Sequence, residues 1–139
     1  LPDNATKLLI SGGPHRYQDV PNVNLVDFGG PILGICLGCL CLVNEFGGKV
    51  LDSDGPIATT WITTDPDEIF NGETKQIEVT IAHRQKIIEV PKSMKVIATA
   101  GSEIMAVRHR TSMIWGVLFH PESPACPGAR CVITNFFNL

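Results

Sequence analysis

An α/β fold, with an open, mostly parallel twisted sheet and flanking helices, is what the sequence predicts. Three observations carry that expectation. The run Pro31-Ile-Leu-Gly-Ile35 is continuously apolar or glycine, which suits a strand buried on both faces of a parallel sheet. It passes at Cys36 straight into residues at helical spacing, Leu37, Leu40, Cys41 and Phe46, with Gly47-Gly48 as the stop. A second continuous apolar run, Met113-Ile-Trp-Gly-Val-Leu-Phe119, ends directly in His120-Pro-Glu122.

Composition narrows the class. The 139 residues suffice for one domain with a real core, residues 1–139, and are too few for two ordinary ones. With 44% hydrophobic residues, 18% charged and a formal net charge of −3, the chain has no basic surplus for nucleic acid. No apolar run reaches membrane-spanning length, so no membrane partner is expected. Three of the five cysteines crowd into residues 36–41. That clustering fits a functional thiol in a reducing compartment, the cytoplasm, better than a disulfide framework.

The remaining elements follow in order. Residues 7–11 read as a short buried strand ended by Gly12-Gly13-Pro14. Residues 15–30 are rich in breakers and leave room for at most one short helical turn. Residues 49–51 read as a strand, as do the β-branched residues 57–63. Thr64-Asp-Pro-Asp-Glu68 resembles a capped turn leading into Ile69-Phe70. Residues 76–82 alternate, with Ile77, Val79 and Ile81 on one face. Residues 95–100 and 104–109 form a hairpin around Gly101-Ser102. In the tail, residues 128–139, Val132, Ile133, Phe136 and Phe137 fall at helical spacing and should pack on the sheet.

The chemistry concentrates at two places. Cys36 sits on the strand-to-helix turn, and Gly34 and Gly38 allow the strained backbone of a nucleophile elbow. A thiol there faces a helix N-terminus, which favours the thiolate. His120 precedes a proline and is therefore held extended, so Glu122, two residues on, lies on the same side and can orient the imidazole. Both motifs lie just past apolar strands, where ligands bind in open α/β sheets, so nucleophile, base and orienter are expected to meet. The alternatives are a buried structural cysteine, a surface His-Pro-Glu turn, and a redox pair made of Cys36 and Cys39 in Cys36-Leu-Gly-Cys39. A metal held by Cys36, Cys39 and Cys41 is not expected, for want of a second pair at zinc-ligand spacing. Being three apart at a helix start, Cys36 and Cys39 are expected to bridge on mild oxidation.

Pro31-Ile-Leu-Gly-Ile-Cys-Leu-Gly38, Gly116-Val-Leu-Phe-His-Pro-Glu122 and Ser11-Gly-Gly-Pro14 together resemble the class I, triad-type glutamine amidotransferases, whose fold is flavodoxin-like. The resemblance implies that Cys36 attacks the glutamine side-chain amide, with His120 as base, Glu122 as its orienter, and the N–H groups of Gly13 and Leu37 as oxyanion hole. It places Leu40, His83, Arg84 and Gln85 in the substrate pocket. It also implies no cofactor in this chain: ATP and Mg are expected only in the synthetase subunit or domain that accepts the ammonia. Ser11-Gly-Gly-Pro14 and Asp54-Gly-Pro56 look like the amidotransferase part of GMP synthetase, and the spacing from Ser11 to Pro31 and around Ile81-Ala-His83 favours that branch. Glu103-Ile-Met-Ala-Val-Arg-His109 and Phe119-His-Pro-Glu-Ser123 look like component II of anthranilate or aminodeoxychorismate synthase. Further alternatives are a γ-glutamyl hydrolase and an inactive relative that serves only in binding. Three departures stand out. Nothing ahead of Lys7 matches the family's opening β-α-β unit, so the protein is shortened or the chain is a fragment. Leu40 stands where the family has a substrate-contacting glutamine, which predicts weakened binding of glutamine. Arg84 is bulkier than the family's small residue.

Overall fold

The structure, a computed structural model, describes residues 3–21, 24–55 and 57–139. In chain order the strands are β1 (Leu8–Ile10), β2 (Ile32–Ile35), β3 (Lys49–Asp52), β4 (Ala58–Thr64), β5 (Lys75–Ile81), β6 (Gln85–Glu89), β7 (Met94–Ala100), β8 (Glu103–His109) and β9 (Ile114–Val117). The helices are α1 (Leu37–Glu45) and α2 (Cys131–Phe137). Seven strands form one sheet in the order β1-β2-β9-β8-β7-β4-β5, and β3 pairs with β6 apart from it.

The α/β class is as the sequence predicts, but the sheet is mixed rather than mostly parallel. β1, β2 and β9 run parallel, while the pairs from β9 outward to β5 are antiparallel. The connections decide this. A turn as short as Gly101-Ser102 between β7 and β8 can join only antiparallel strands, because a parallel pair needs a long crossover.

Within the parallel trio, alternation sends side chains to two opposite cores. Leu33, Ile35, Trp115 and Val117 meet Val132 and Phe136 of α2 on one face. Ile32 and Ile114 meet Leu40, Leu42 and Val43 of α1 on the other. Phe136 approaches Trp115 edge-on, with ring centroids 6.4 Å apart. Burying each such side chain contributes about 1.5–3 kcal/mol. The tail therefore packs as its spacing predicts.

Asp67 caps the turn Glu68–Phe70 by accepting the Ile69 N–H at 3.1 Å. It also accepts from Trp115 Nε1 at 2.9 Å and from Arg108 Nη1 at 3.0 Å, and so ties this turn to β8 and β9.

Several local expectations change. Two 3₁₀ turns, Tyr17–Asp19 and Val26–Phe28, occupy the segment expected to hold at most one; Gly29, at φ 75°, closes the second. β1 is half-buried rather than buried, since it pairs on one side only. β6 has no counterpart in the sequence reading. Its inward face opens with the polar Gln85, followed by Ile87, while Ile88 points out, and this masks the alternation. Pro56 of Asp54-Gly-Pro56 lies outside the described residues. Among the described residues no helix is long and apolar enough to cross a membrane.

Candidate active site

The site is built on the parallel trio. Ile35 at the end of β2 pairs with Val117 at the end of β9, so the residues that follow both strands emerge at one edge. Cys36 is the first of them, and its N–H donates to the Val117 carbonyl at 2.8 Å. Its backbone has φ 52° and ψ −105°, a conformation that L-residues rarely adopt and that is held only by its surroundings. Here the surroundings are a tight strand-helix packing. A Cβ on Gly34 would lie 2.6 Å from the Gly38 carbonyl, and one on Gly38 would strike the Ile10 backbone. The elbow expected from the glycine spacing is therefore present.

His120 reaches the same edge from β9. Its N–H donates to the Thr80 carbonyl at 2.8 Å, and this bond also brings the end of β5 to the site. Its Nδ1 is 2.5 Å from Glu122 Oε1, and its ring hydrogen-bonds Cys36. A Cβ on Gly12 would lie 3.1 Å from His120 Cε1 and 3.2 Å from Cys36 Cβ, so this loop glycine lets thiol and imidazole approach. Sulfur, imidazole and carboxylate thus form the line that the sequence predicts.

The hydrogen bond to Cys36 raises His120 to a pKa of about 9; partial burial opposes the shift, and the Glu122 hydrogen bond and charge add to it. His120 therefore carries a proton through the neutral range. The stability it contributes is fully present below the ordinary value of 6.5 and is lost as pH rises through about 9. If that proton goes to a leaving group, kcat/KM falls above pH about 9. In Glu122→Gln the fall should move towards neutrality, because the carboxylate no longer supports the charged ring. A pH–rate profile of both proteins checks this, and an unmoved alkaline limb would contradict the Glu122 role.

A cleft of about 40 Å³ opens beside Cys36 and brings together all six of the further residues predicted for the site. Gly13 and Leu37 line it. Among the described residues their N–H groups have no partner, as expected of a helix N-terminus and of the loop opposite. His83 is 7% exposed, and its Nδ1 is buried without a hydrogen-bond partner among the described residues. Arg84 is exposed, and its guanidinium makes no ion pair or hydrogen bond among them, while its backbone carbonyl accepts the Ser53 N–H at 2.7 Å. Two of the six also serve the protein's own packing. Leu40 touches the cleft but is 3% exposed within the α1 core, so it acts as packing as much as pocket wall. Gln85 is 1% exposed and spends its amide on protein groups rather than on the cleft.

The remaining thiols do not join the site. Cys39 is fully buried beneath α1 with its Sγ against Gly116, on the opposite face of the sheet from Cys36. The expected Cys36–Cys39 bridge would have to join the thiol at the site to one that is fully buried against Gly116. Burial also pushes the Cys39, Cys41 and Cys131 thiols above their ordinary value, most of all Cys39. Among the described residues no three His, Cys, Asp or Glu side chains are grouped to hold a metal ion. Sequence reasoning missed Gly12 as the spacer of the pair, although the double glycine in Ser11-Gly-Gly-Pro14 was its signal. It also missed the Ala82 carbonyl, 3.9 Å from Cys36 Sγ, for which the sequence carries no signal.

Known proteins resemble this chain in sequence and fold. The chain is 35% identical over 153 residues to anthranilate synthase component 2 of Leptospira biflexa, covering 97% of this chain and 75% of that protein. It is 32% identical over 139 residues to a glutamine-hydrolyzing GMP synthase of Thermosipho melanesiensis, covering 96% of this chain but only 27% of the relative's length. A GMP synthase subunit from Thermoplasma acidophilum superposes with a TM-score of 0.86 at 26% identity, over 98% of this chain and 73% of that one. The family model for class-I glutamine amidotransferases matches residues 2–139, and with the elbow and fold described above, the chain belongs to that family.

Proposed function

We propose that residues 1–139 act as a glutaminase unit that hydrolyses the side-chain amide of glutamine and supplies ammonia to a synthetase subunit or domain. The observation that carries this reading is the line Cys36, His120, Glu122 at one sheet edge, with Glu122 2.5 Å from the imidazole. Cys36 Sγ, its proton passed to His120, attacks the amide carbon, and the developing oxyanion is met by the N–H groups of Gly13 and Leu37, which have no partner among the described residues. His120 passes its proton to the departing nitrogen, which leaves as ammonia while a glutamyl thioester remains on Cys36. Water then attacks the thioester with His120 as base, and glutamate leaves as the thiol is restored.

His83 Nδ1 and the exposed Arg84 suit the polar end of the substrate, since a guanidinium pairs readily with an α-carboxylate. ATP and Mg belong to the synthetase in this reading, and glutamine chemistry here needs no cofactor. The likeness to GMP synthases favours that acceptor branch. A second reading keeps the chemistry and changes the partner to an anthranilate-type synthase, on the strength of the likeness to component 2.

Incubation with glutamine tests the shared chemistry: ammonia and glutamate should appear in equal amounts. A diazoketone analogue of glutamine should label Cys36 and leave Cys131 untouched. Equal labelling of the two, or dithiol oxidation without ammonia, would overturn the reading.

A further inference from the structure

Gln85 is the least exposed polar side chain lining the cleft, at 1%, and each end of its amide is occupied. Its Oε1 accepts the Tyr17 N–H at 3.0 Å. Its Nε2 donates to Gln18 Oε1 and to Asp52 Oδ1, both at 3.1 Å. Asp52 Oδ1 in turn accepts from Arg16 Nε at 3.1 Å. Gln85 and Asp52 thus fasten residues 16–18 to the ends of β6 and β3. These residues follow closely on Gly12, which spaces Cys36 from His120, and on Gly13, which carries one of the oxyanion donors.

From this geometry we infer that Gln85 is a positioning residue: it clamps the loop carrying Gly12 and Gly13, fixing the oxyanion donor relative to Cys36 without touching substrate. The inference rests on the glutaminase reading and names a determinant of its rate. A loop held at only one end would let the Gly13 N–H wander, and an oxyanion donor acts only if it is fixed before the charge develops. At its other end the loop is already held, because Ile10 pairs with Gly34. The 16–18 end has the Gln85 cluster. Burying an amide among apolar side chains is unfavourable unless its bonds are made, so a fully bonded Gln85 also specifies one loop position.

The test uses Gln85→Leu, which keeps the volume and removes all the bonds, alongside Asp52→Ala and Asp52→Asn on the exposed side of the cluster. In Gln85→Leu, kcat for glutamine hydrolysis should fall about 10- to 100-fold with KM changed by less than about threefold, the mark of an interaction realised only in the transition state. Exchange of the Tyr17 amide should quicken at least about tenfold while amides of β2 and β9 keep their protection. Asp52→Ala should shift kcat in the same direction by a smaller factor, and Asp52→Asn, which keeps an acceptor, should restore it to within about twofold of the starting protein. A rise in KM with kcat unchanged would overturn the inference and make Gln85 a substrate ligand. An unchanged Tyr17 exchange rate would overturn it as well. If the unaltered protein releases no Cys36-dependent ammonia, the glutaminase reading fails, and the exchange arm still decides whether Gln85 holds the loop.

Discussion

Cys36→Ala should lower glutamine-dependent ammonia release on the order of 10⁴-fold or more, with the fold retained. The cysteine side chain is 3% exposed and small, so its loss leaves little cavity. Its sulfur is nevertheless the one beside His120, and the thiols of Cys39, Cys41 and Cys131 are raised by burial and lie elsewhere. Cys126 is 2% exposed and its Sγ accepts from Thr80 Oγ1 at 3.4 Å, so none of the other four thiols is expected to take over the attack, and what remains is polarisation of the amide by the oxyanion donors. Coupled-enzyme detection of ammonia, with circular dichroism as the control for folding, measures the effect. Residual activity within tenfold of the starting protein would mean that the thiol is not the nucleophile.

The second large effect falls on stability. Asp67→Ala should destabilise the protein by about 3–5 kcal/mol, because one buried carboxylate serves the Ile69 N–H, the Trp115 Nε1–H and Arg108 at once. The Asp67 side chain is 1% exposed and that of Arg108 17%. Removing the carboxylate orphans the Trp115 Nε1–H, uncaps the turn at Ile69 and strips Arg108 of its more buried partner, leaving it Glu68 Oε1 at 3.0 Å. Arg108 would still lie over the Trp115 ring at 4.7 Å, a contact too weak to replace a buried ion pair. For a chain of this length the loss corresponds to roughly 10 °C or more in Tm. Thermal and urea unfolding measure it. A change under about 1 kcal/mol would show that Glu68 alone satisfies Arg108.

The line Cys36, His120, Glu122 was legible in the sequence because Cys36 and His120 each follow a continuous apolar strand and are flagged by Gly or Pro, so local pattern alone fixes where the chain turns. Gly34, Gly38 and the pre-proline His120 are such flags. The sense of the outer strands was not legible in the same way: alternation in residues 76–82 says which face is buried but not which direction a neighbour runs. That depends on connection length, and reading the sheet as mostly parallel extended the logic of β2 and β9 too far. Asp67 was readable as a cap, since Asp before an apolar pair is a local signal. Its bonds to Arg108 and Trp115 span 41 and 48 positions and leave no periodic trace. The same holds for Gln85: the family resemblance placed it in the pocket with His83 and Arg84, whereas its partners Tyr17 and Gln18 lie 68 and 67 residues away. Cys39 lies three residues after Cys36, but Cys36, at φ 52°, is outside helical backbone, so the helical spacing rule does not by itself relate the two.

The most direct measurement is acid quenching of the protein during turnover of isotopically labelled glutamine, followed by peptide mapping. Label is expected as an acyl group on the peptide containing Cys36, released by neutral hydroxylamine as a thioester should be and absent from Cys36→Ala. Ammonia release with no acyl group on Cys36, or with label on a peptide carrying Cys126 or Cys131, would contradict it.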